Sequence, residues 1–298
     1  MPAPAPTPMT LIKGRYQIKG SEPDGDTVKF LPDDITMWAK VPGERKVKTN
    51  QQGVASLRLD GIDALETHYQ GAGPDFVHQP LDLGAHAARD ALLTWLGFTA
   101  VERQLGETVS AATPETVPGF ILTSGADTFN RCVALVGRGA PVPDAESGAS
   151  ITVDVPMLHQ TANHELLSRG LVYPTFYKNL PKDLRFDMAV TAQQARAAKA
   201  PDSVWANDVT HSGAAIEDLG SLTDHLVILP KLFRRLADYL RLFGPSLDRL
   251  PVFLAGGDDE YFFNDPDRTT RGLHRIVDVV GDTVKLRPAI EELTFVEK

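Results

Sequence analysis

Five charged residues in three separate segments have the chemical types that cleavage of a phosphodiester requires. Asp26 lies in the first segment, Arg58, Asp63 and Glu66 follow in the spacing Arg-x4-Asp-x2-Glu, and Arg131 lies in the third. Carboxylates supply the hard oxygen ligands that calcium prefers, and a carboxylate can also accept a proton from water. Two guanidinium groups can hold an anionic phosphate through paired hydrogen bonds. Together the five residues predict metal-assisted phosphodiester hydrolysis.

Each segment taken alone also has a purely structural explanation. An Asp-Gly pair such as Asp24-Gly25 is typical of a hairpin turn, and Asp63 with Glu66 fits the start of a helix. The two arginines could be partners in surface ion pairs. A similar string at residues 281–286 predicts only a hairpin. The combination of all three segments in one chain is what favours a functional site.

Short strands and a few helices are predicted around these residues. Alternation in residues 54–59 places Leu57 and Leu59 on one face and Arg58 on the other. The predicted strands cover residues 16–19, 27–30, 54–59, 120–123, 129–136 and 151–155. The predicted helices cover residues 83–98, a short segment ending at a Gly170 cap, residues 181–208 and residues 229–243. Residues 67–82 are predicted to form a long loop, and residues 137–150 an insertion.

The order and spacing of the charged residues resemble the staphylococcal nuclease (thermonuclease) family over about residues 11–208. This resemblance implies an α+β fold with a five-stranded OB-fold β-barrel and three helices. It also implies that Asp26, Asp63 and the carbonyl of Ala64 bind Ca²⁺. By the same resemblance Glu66 is expected to be the general base or the residue that orients the attacking water, and Arg58 and Arg131 are expected to bind phosphate.

Three further positions are implied to contact substrate by the same resemblance: Asp127, Phe129 and Tyr173. The chain departs from the family pattern just before its second arginine. Thr128 and Phe129 replace a lysine and a tyrosine, and Asn130 replaces a glycine. We expect these changes to affect substrate contacts more than the cation ligands.

Three regions are predicted along the chain: a disordered tail at residues 1–10, a nuclease-like domain at 11–210, and a small α+β C-terminal appendage of unknown role at 211–298. The net charge is −9, and neither the first 210 residues nor the remainder is basic. Because polyanion binding normally draws on a basic surface, we expect weak and strongly salt-sensitive nucleic-acid binding. The predicted helix at 229–243 is amphipathic and carries several arginines, so a contact with a protein partner or with nucleic acid is a further possibility.

Composition restricts the remaining classes of function. The single cysteine, Cys132, excludes an intrachain disulfide, and no apolar run is long enough to span a membrane. With no readable signal peptide, a cytoplasmic location without membrane association is expected. The eight histidines are scattered and predict no zinc site.

The sequence thus predicts a calcium-dependent nuclease that hydrolyses phosphodiester bonds of DNA or RNA. A single-stranded substrate is favoured because OB-fold grooves accommodate exposed bases. The alternatives are a non-catalytic OB-fold module that binds nucleic acid, or an assembly protein that uses the nuclease fold as a scaffold.

Overall fold

The computed structural model describes residues 8–104, 106–141 and 144–296. The strands are β1 Met9–Gln17, β2 Thr27–Pro32, β3 Ala55–Leu59, β4 Ile62–Asp63, β5 Ala100–Arg103, β6 Val109–Thr113, β7 Thr116–Ala126, β8 Cys132–Arg138, β9 Ser150–Ile151, β10 Tyr173–Pro174, β11 Phe176–Tyr177, β12 Ala214–Ala215, β13 Glu260–Phe262, β14 Thr270–Arg271, β15 Val277–Val280, β16 Thr283–Leu286 and β17 Thr294–Val296. The helices are α1 His86–Leu96, α2 Val155–Leu158, α3 Ala162–Ser168, α4 Lys182–Ala198, α5 Pro230–Phe243 and α6 Leu250–Gly256.

Five strands close into a mixed β-barrel. They run in the order β2-β3-β8-β7-β1, and β1 pairs back onto β2 to close the sheet. All pairs are antiparallel except β3 with β8. Alternating burial along β2 and β3 points Phe30 and Leu57 into the barrel and leaves Arg58 on its outer wall. An α+β fold with a five-strand barrel, as predicted, is therefore present.

Helices α3 and α4 pack on the barrel, and one buried asparagine ties α3 to it. Asn163 is fully buried, and its side-chain oxygen accepts a hydrogen bond from the Val136 amide at 2.9 Å. Its side-chain nitrogen donates to the carbonyl of Asp60 at 2.8 Å and to that of Ala134 at 3.1 Å. These bonds fix the end of β3, from which the segment carrying Asp63 departs.

The C-terminal region packs against the barrel region through a second hydrophobic core. This core combines Tyr173 and Trp205 with Phe233, Leu236 and other residues after position 211. Strand β11 also pairs in parallel with β17, at the far end of the described chain. The two predicted domains therefore share buried surface, which holds α5 over the outer wall of the barrel.

Several element boundaries differ from the predicted ones for local reasons. Residues 1–7 of the predicted tail lie outside the described residues, and Met9 already begins β1. The predicted helix at 181–208 ends at Ala198, because Lys199 adopts a left-handed conformation (φ 46°) shortly before Pro201. The predicted strand at 151–155 is limited to β9, since the Asp154 side chain caps α2 by accepting a hydrogen bond from Met157 at 2.9 Å.

Other local predictions are confirmed. The helix predicted over 83–98 is present as α1, and Gly97 ends it with a φ of 116°. Gly170 has a positive φ of 69° just after α3, and Gly281 has one of 61° in the β15–β16 hairpin. Within the described ranges, no helix is both long and apolar enough to cross a bilayer.

Candidate active site

A pocket of about 550 Å³ lies between the outer wall of the barrel and the C-terminal region. The five charged residues predicted from the sequence all line it. Its lining comprises Asp24, Asp26, Arg58, Asp63, Glu66, Tyr69, Gln70, Thr128, Phe129, Arg131, Tyr177, Lys231, Arg234, Arg235, Asp258, Asp259, Glu260 and Val296. The structure therefore brings together three segments that are far apart in sequence.

Asp26 is positioned by the start of β2 and by the turn after β4. Its carboxylate accepts hydrogen bonds from the Ala64 amide at 3.1 Å and from the Thr27 hydroxyl at 3.1 Å. A Cβ atom at Gly25 would lie 2.6 Å from the Cβ atoms of both Ala64 and Ala88. Glycine is thus required before Asp26 because the chain passes so close to α1.

Asp63 ends β4 and is followed by Ala64 and Glu66, and all three residues are largely buried. Asp63 is 1% exposed and Ala64 is 4% exposed. The Ala64 amide donates to Asp26 and residue 64 follows Asp63 directly, but Ala64 itself is not among the residues that line the pocket. The Gln79 side chain connects Glu66 to the C-terminal region. Its oxygen accepts a hydrogen bond from the Glu66 amide at 3.2 Å, and its nitrogen donates one to the Ile228 carbonyl at 2.8 Å.

Arg58 extends from the outer face of β3 toward Asp63 and Tyr177. One guanidinium nitrogen lies 4.0 Å from an Asp63 oxygen and donates to the Tyr177 hydroxyl at 3.2 Å. Burial alone would raise the pKa of Tyr177, but Lys231 and Arg58 outweigh it and lower that pKa. Tyr177 is a pocket residue that the sequence did not single out.

Asp127 fixes the position of Arg131 through hydrogen bonds and an ion pair. The buried Asp127 carboxylate accepts from the Arg131 guanidinium at 2.7 Å and from the amides of Arg131 and Phe129 at 2.8 and 2.9 Å. Asn130 takes a left-handed conformation (φ 62°), which asparagine tolerates better than most residues. Asp127 thus orients Arg131, while Phe129 is 75% exposed at the pocket rim.

Tyr173 does not reach the pocket. It is fully buried, donates its hydroxyl hydrogen to Asp208 at 2.7 Å, and packs edge-on against Trp205. The predicted substrate contact of Tyr173 is therefore wrong, because its side chain belongs to the second hydrophobic core. Tyr177, four residues later, faces the pocket instead.

Burial raises the pKa of three pocket carboxyls above their ordinary range. For Asp24, repulsion from Asp26 and Glu66 adds to the effect of burial. For Asp26, burial and the Asp63 charge outweigh the attraction of nearby arginines. For Glu66, burial and the two aspartates outweigh Arg234. An additional positive charge nearby would stabilise the ionised form of each of these carboxyls and lower its pKa.

Arg234, from α5, bridges the predicted cation ligand Asp63 and the predicted general base Glu66. Its guanidinium donates to Asp63 at 2.7 and 3.3 Å and also to Glu66. Burial opposes ionisation of Asp63, but Arg234 and Arg58 outweigh it and lower the pKa of Asp63. The helix is anchored further by Arg235, which donates to Asp259 at 2.7 and 3.0 Å.

Comparison with known proteins leaves the family unassigned. No protein-family model matches the chain, and a search of curated proteins likewise gives no match. The functional interpretation therefore rests on the barrel and on the geometry of the pocket.

The oxygen-rich lining of the pocket fits a divalent cation. Seven acidic and five basic side chains line it, a formal excess of two negative charges that one divalent cation would offset. Carboxylate and carbonyl oxygens are the ligands that calcium prefers. Arg234 supplies part of the same positive charge, so it and a cation would compete for Asp63.

Proposed function

We propose that the barrel is an OB-fold of the staphylococcal nuclease type and that the pocket hydrolyses phosphodiester bonds of DNA or RNA with calcium. The observation that carries this proposal is the convergence of Asp26, Asp63 and Glu66 with Arg58 and Arg131 in one pocket. The three carboxylates and two guanidinium groups match the parts that phosphodiester cleavage requires.

The residues divide into three roles. Asp26, Asp63 and the Ala64 carbonyl would hold calcium, which when bound neutralises phosphate charge and makes water more acidic. Glu66 accepts a proton from the attacking water, and its raised pKa makes it a stronger base than an ordinary carboxylate. Arg58 and Arg131 bind the non-bridging phosphate oxygens and stabilise the charge that develops in the transition state.

The rim of the pocket favours a single-stranded substrate. Phe129 is 75% exposed, and its ring centroid lies 5.8 Å from the Arg131 guanidinium carbon. An exposed aromatic ring beside a phosphate-binding arginine offers a surface on which an unpaired base can stack. The acidic surface of the chain gives such binding little long-range support, so strong salt dependence is expected.

The Arg234 contact favours a second candidate function. In this alternative the guanidinium permanently replaces the cation, and the pocket binds nucleic-acid phosphates without cleaving them. Asp63 and Glu66 would then serve to hold Arg234 in place. The two candidates differ in one respect that can be measured, because only the nuclease requires calcium.

Cleavage of a labelled single-stranded DNA, with calcium and with EDTA, tests the proposal. We expect the wild-type protein to cleave only with calcium and Arg58→Ala to lose roughly 10²–10³-fold in rate, as for removal of an oxyanion donor. Arg249→Ala, at an exposed position away from the pocket, is the control and should retain full activity. No cleavage with calcium, together with gel retardation of the DNA, would support the binding module instead.

A further inference from the structure

Two histidines and an aspartate meet on the side of the molecule formed by α2, α3 and α4. His159 follows α2 directly, His164 lies in α3, and Asp187 lies in α4. One potential ligand atom from each of the three residues lies within 4.8 Å of the other two. None of the three lines the pocket described above.

The two imidazole rings are arranged around the same carboxylate oxygen. Their centroids are 3.9 Å apart with an interplanar angle of 27°. The Nε2 atoms of His159 and His164 lie 2.8 and 3.9 Å from Oδ2 of Asp187. Ligands of a tetrahedral ion with bonds of about 2.0–2.1 Å are separated by about 3.4 Å, so the observed spacings bracket the required one.

We propose that His159, His164 and Asp187 form a binding site for a divalent transition-metal ion of the zinc class. Two imidazole nitrogens and one carboxylate oxygen suit zinc, nickel or copper, whereas calcium prefers oxygen ligands alone. Three protein ligands leave a fourth position for water, and the His159 side chain is 45% exposed. The site is thus chemically distinct from the predicted calcium ligands.

The surroundings of His164 support this assignment. Its side chain is only 16% exposed, and the Thr191 hydroxyl lies 3.3 Å from its Nε2 atom. An ordinary ion pair between His159 and Asp187 would not by itself account for a second, largely buried imidazole whose Nε2 atom lies 3.9 Å from the same oxygen.

A metal ion here would connect the α2–α3 segment to α4. The scattered histidines predicted no zinc site, but four residues separate His159 from His164, which is within the spacing common in zinc sites. Asp187, on a different helix, is supplied only by the fold. Binding to the folded state alone should raise the melting temperature as the metal concentration increases.

Calorimetric titration of the full-length, metal-free protein with Zn²⁺, in excess calcium to occupy the acidic pocket, tests the site. We expect one zinc ion per chain, and an affinity at least tenfold lower in His159→Gln and in Asp187→Asn. His225→Gln, which changes an exposed histidine elsewhere, should bind zinc as the wild type does. Unchanged affinity in both site variants, or complete competition by calcium, would overturn the proposal.

A spectroscopic measurement makes the test independent of stability. Cobalt(II) in place of zinc should give visible absorption bands typical of four-coordinate nitrogen and oxygen ligands, and these should be lost in His159→Gln. Circular dichroism of each variant confirms that its fold is retained. Cobalt bands of equal intensity in the wild type and His159→Gln would contradict the assigned ligands.

Discussion

Replacing Arg234 by methionine isolates the contact between the C-terminal region and the predicted cation site. The change keeps an unbranched side chain on α5 but removes the guanidinium from Asp63 and Glu66. Breaking a buried ion pair from one side typically costs 3–5 kcal/mol, because the remaining charge stays buried. The Arg234 side chain is 21% exposed, so solvent screens part of the interaction and we expect about 3 kcal/mol, the lower end of that range.

Calcium should have the opposite effect on this variant. In the wild type a cation that binds Asp63 must displace the guanidinium from it, whereas in Arg234→Met the Asp63 carboxylate is available. If displacement costs about 3 kcal/mol, the variant should bind calcium about 10²-fold more tightly. Added calcium should therefore restore much of the stability that the variant loses in EDTA.

Urea unfolding in EDTA and in calcium, combined with calorimetric calcium titration, measures both effects. Arg249→Met, an exposed arginine in the same region, is the control and should change neither quantity by more than about 0.5 kcal/mol. Equal calcium affinity in the wild type and Arg234→Met would refute the competition between Arg234 and the cation. Absence of calcium binding in both would refute the cation site itself.

Three further predictions concern charge and hydrogen bonding. Burial opposes ionisation of Asp259, but Arg235 and Lys231 outweigh it and lower the pKa of Asp259 to about 2. Asp259→Asn should therefore reduce the free energy of unfolding in urea by about 2 kcal/mol at neutral pH. This loss should become smaller as the pH falls from about 4 toward 2, where Asp259 itself becomes protonated. Asn163→Leu should lose about 3 kcal/mol in the same assay, because three buried hydrogen bonds disappear. Burial and Asp63 raise the pKa of Asp26, so Asp26→Asn should stabilise the metal-free protein at pH 8. The gain in stability should be smaller at lower pH, where Asp26 is itself protonated. Calorimetry of the same variant should show loss of calcium binding.

Residue patterns predicted the strand that carries Arg58, whereas Arg131 precedes β8 and does not lie within the strand predicted over 129–136, because that strand begins only at Cys132. Alternation around Leu57 and Leu59 placed Arg58 on the outer wall, as observed. Gly25 is required because the chain packs closely against α1 at this position. The Asp-Gly turn pattern in the sequence does not indicate this packing. The nuclease-type activity, the calcium ion and the nucleic-acid partner stay predictions.

Long-range contacts account for what the sequence could not predict. Arg234 is 171 residues from Asp63, and its helix pattern indicated only an amphipathic helix with several arginines. Tyr173 and Tyr177 lie on consecutive short strands, and only the fold determines that the first enters the hydrophobic core while the second faces the pocket. Local patterns specify which face a side chain takes, but not which distant segment covers it.

The rate of single-stranded DNA cleavage by the wild type and by Glu66→Gln, measured against calcium concentration, tests the central claim most directly. We predict cleavage by the wild type that rises with calcium and is abolished by EDTA. Glu66→Gln should cleave at least 10²-fold more slowly, because the proton acceptor is lost, while still binding the DNA, because Arg58 and Arg131 are unchanged. Equal cleavage by both proteins, or none by a wild-type protein with calcium bound, would contradict the proposed catalytic site.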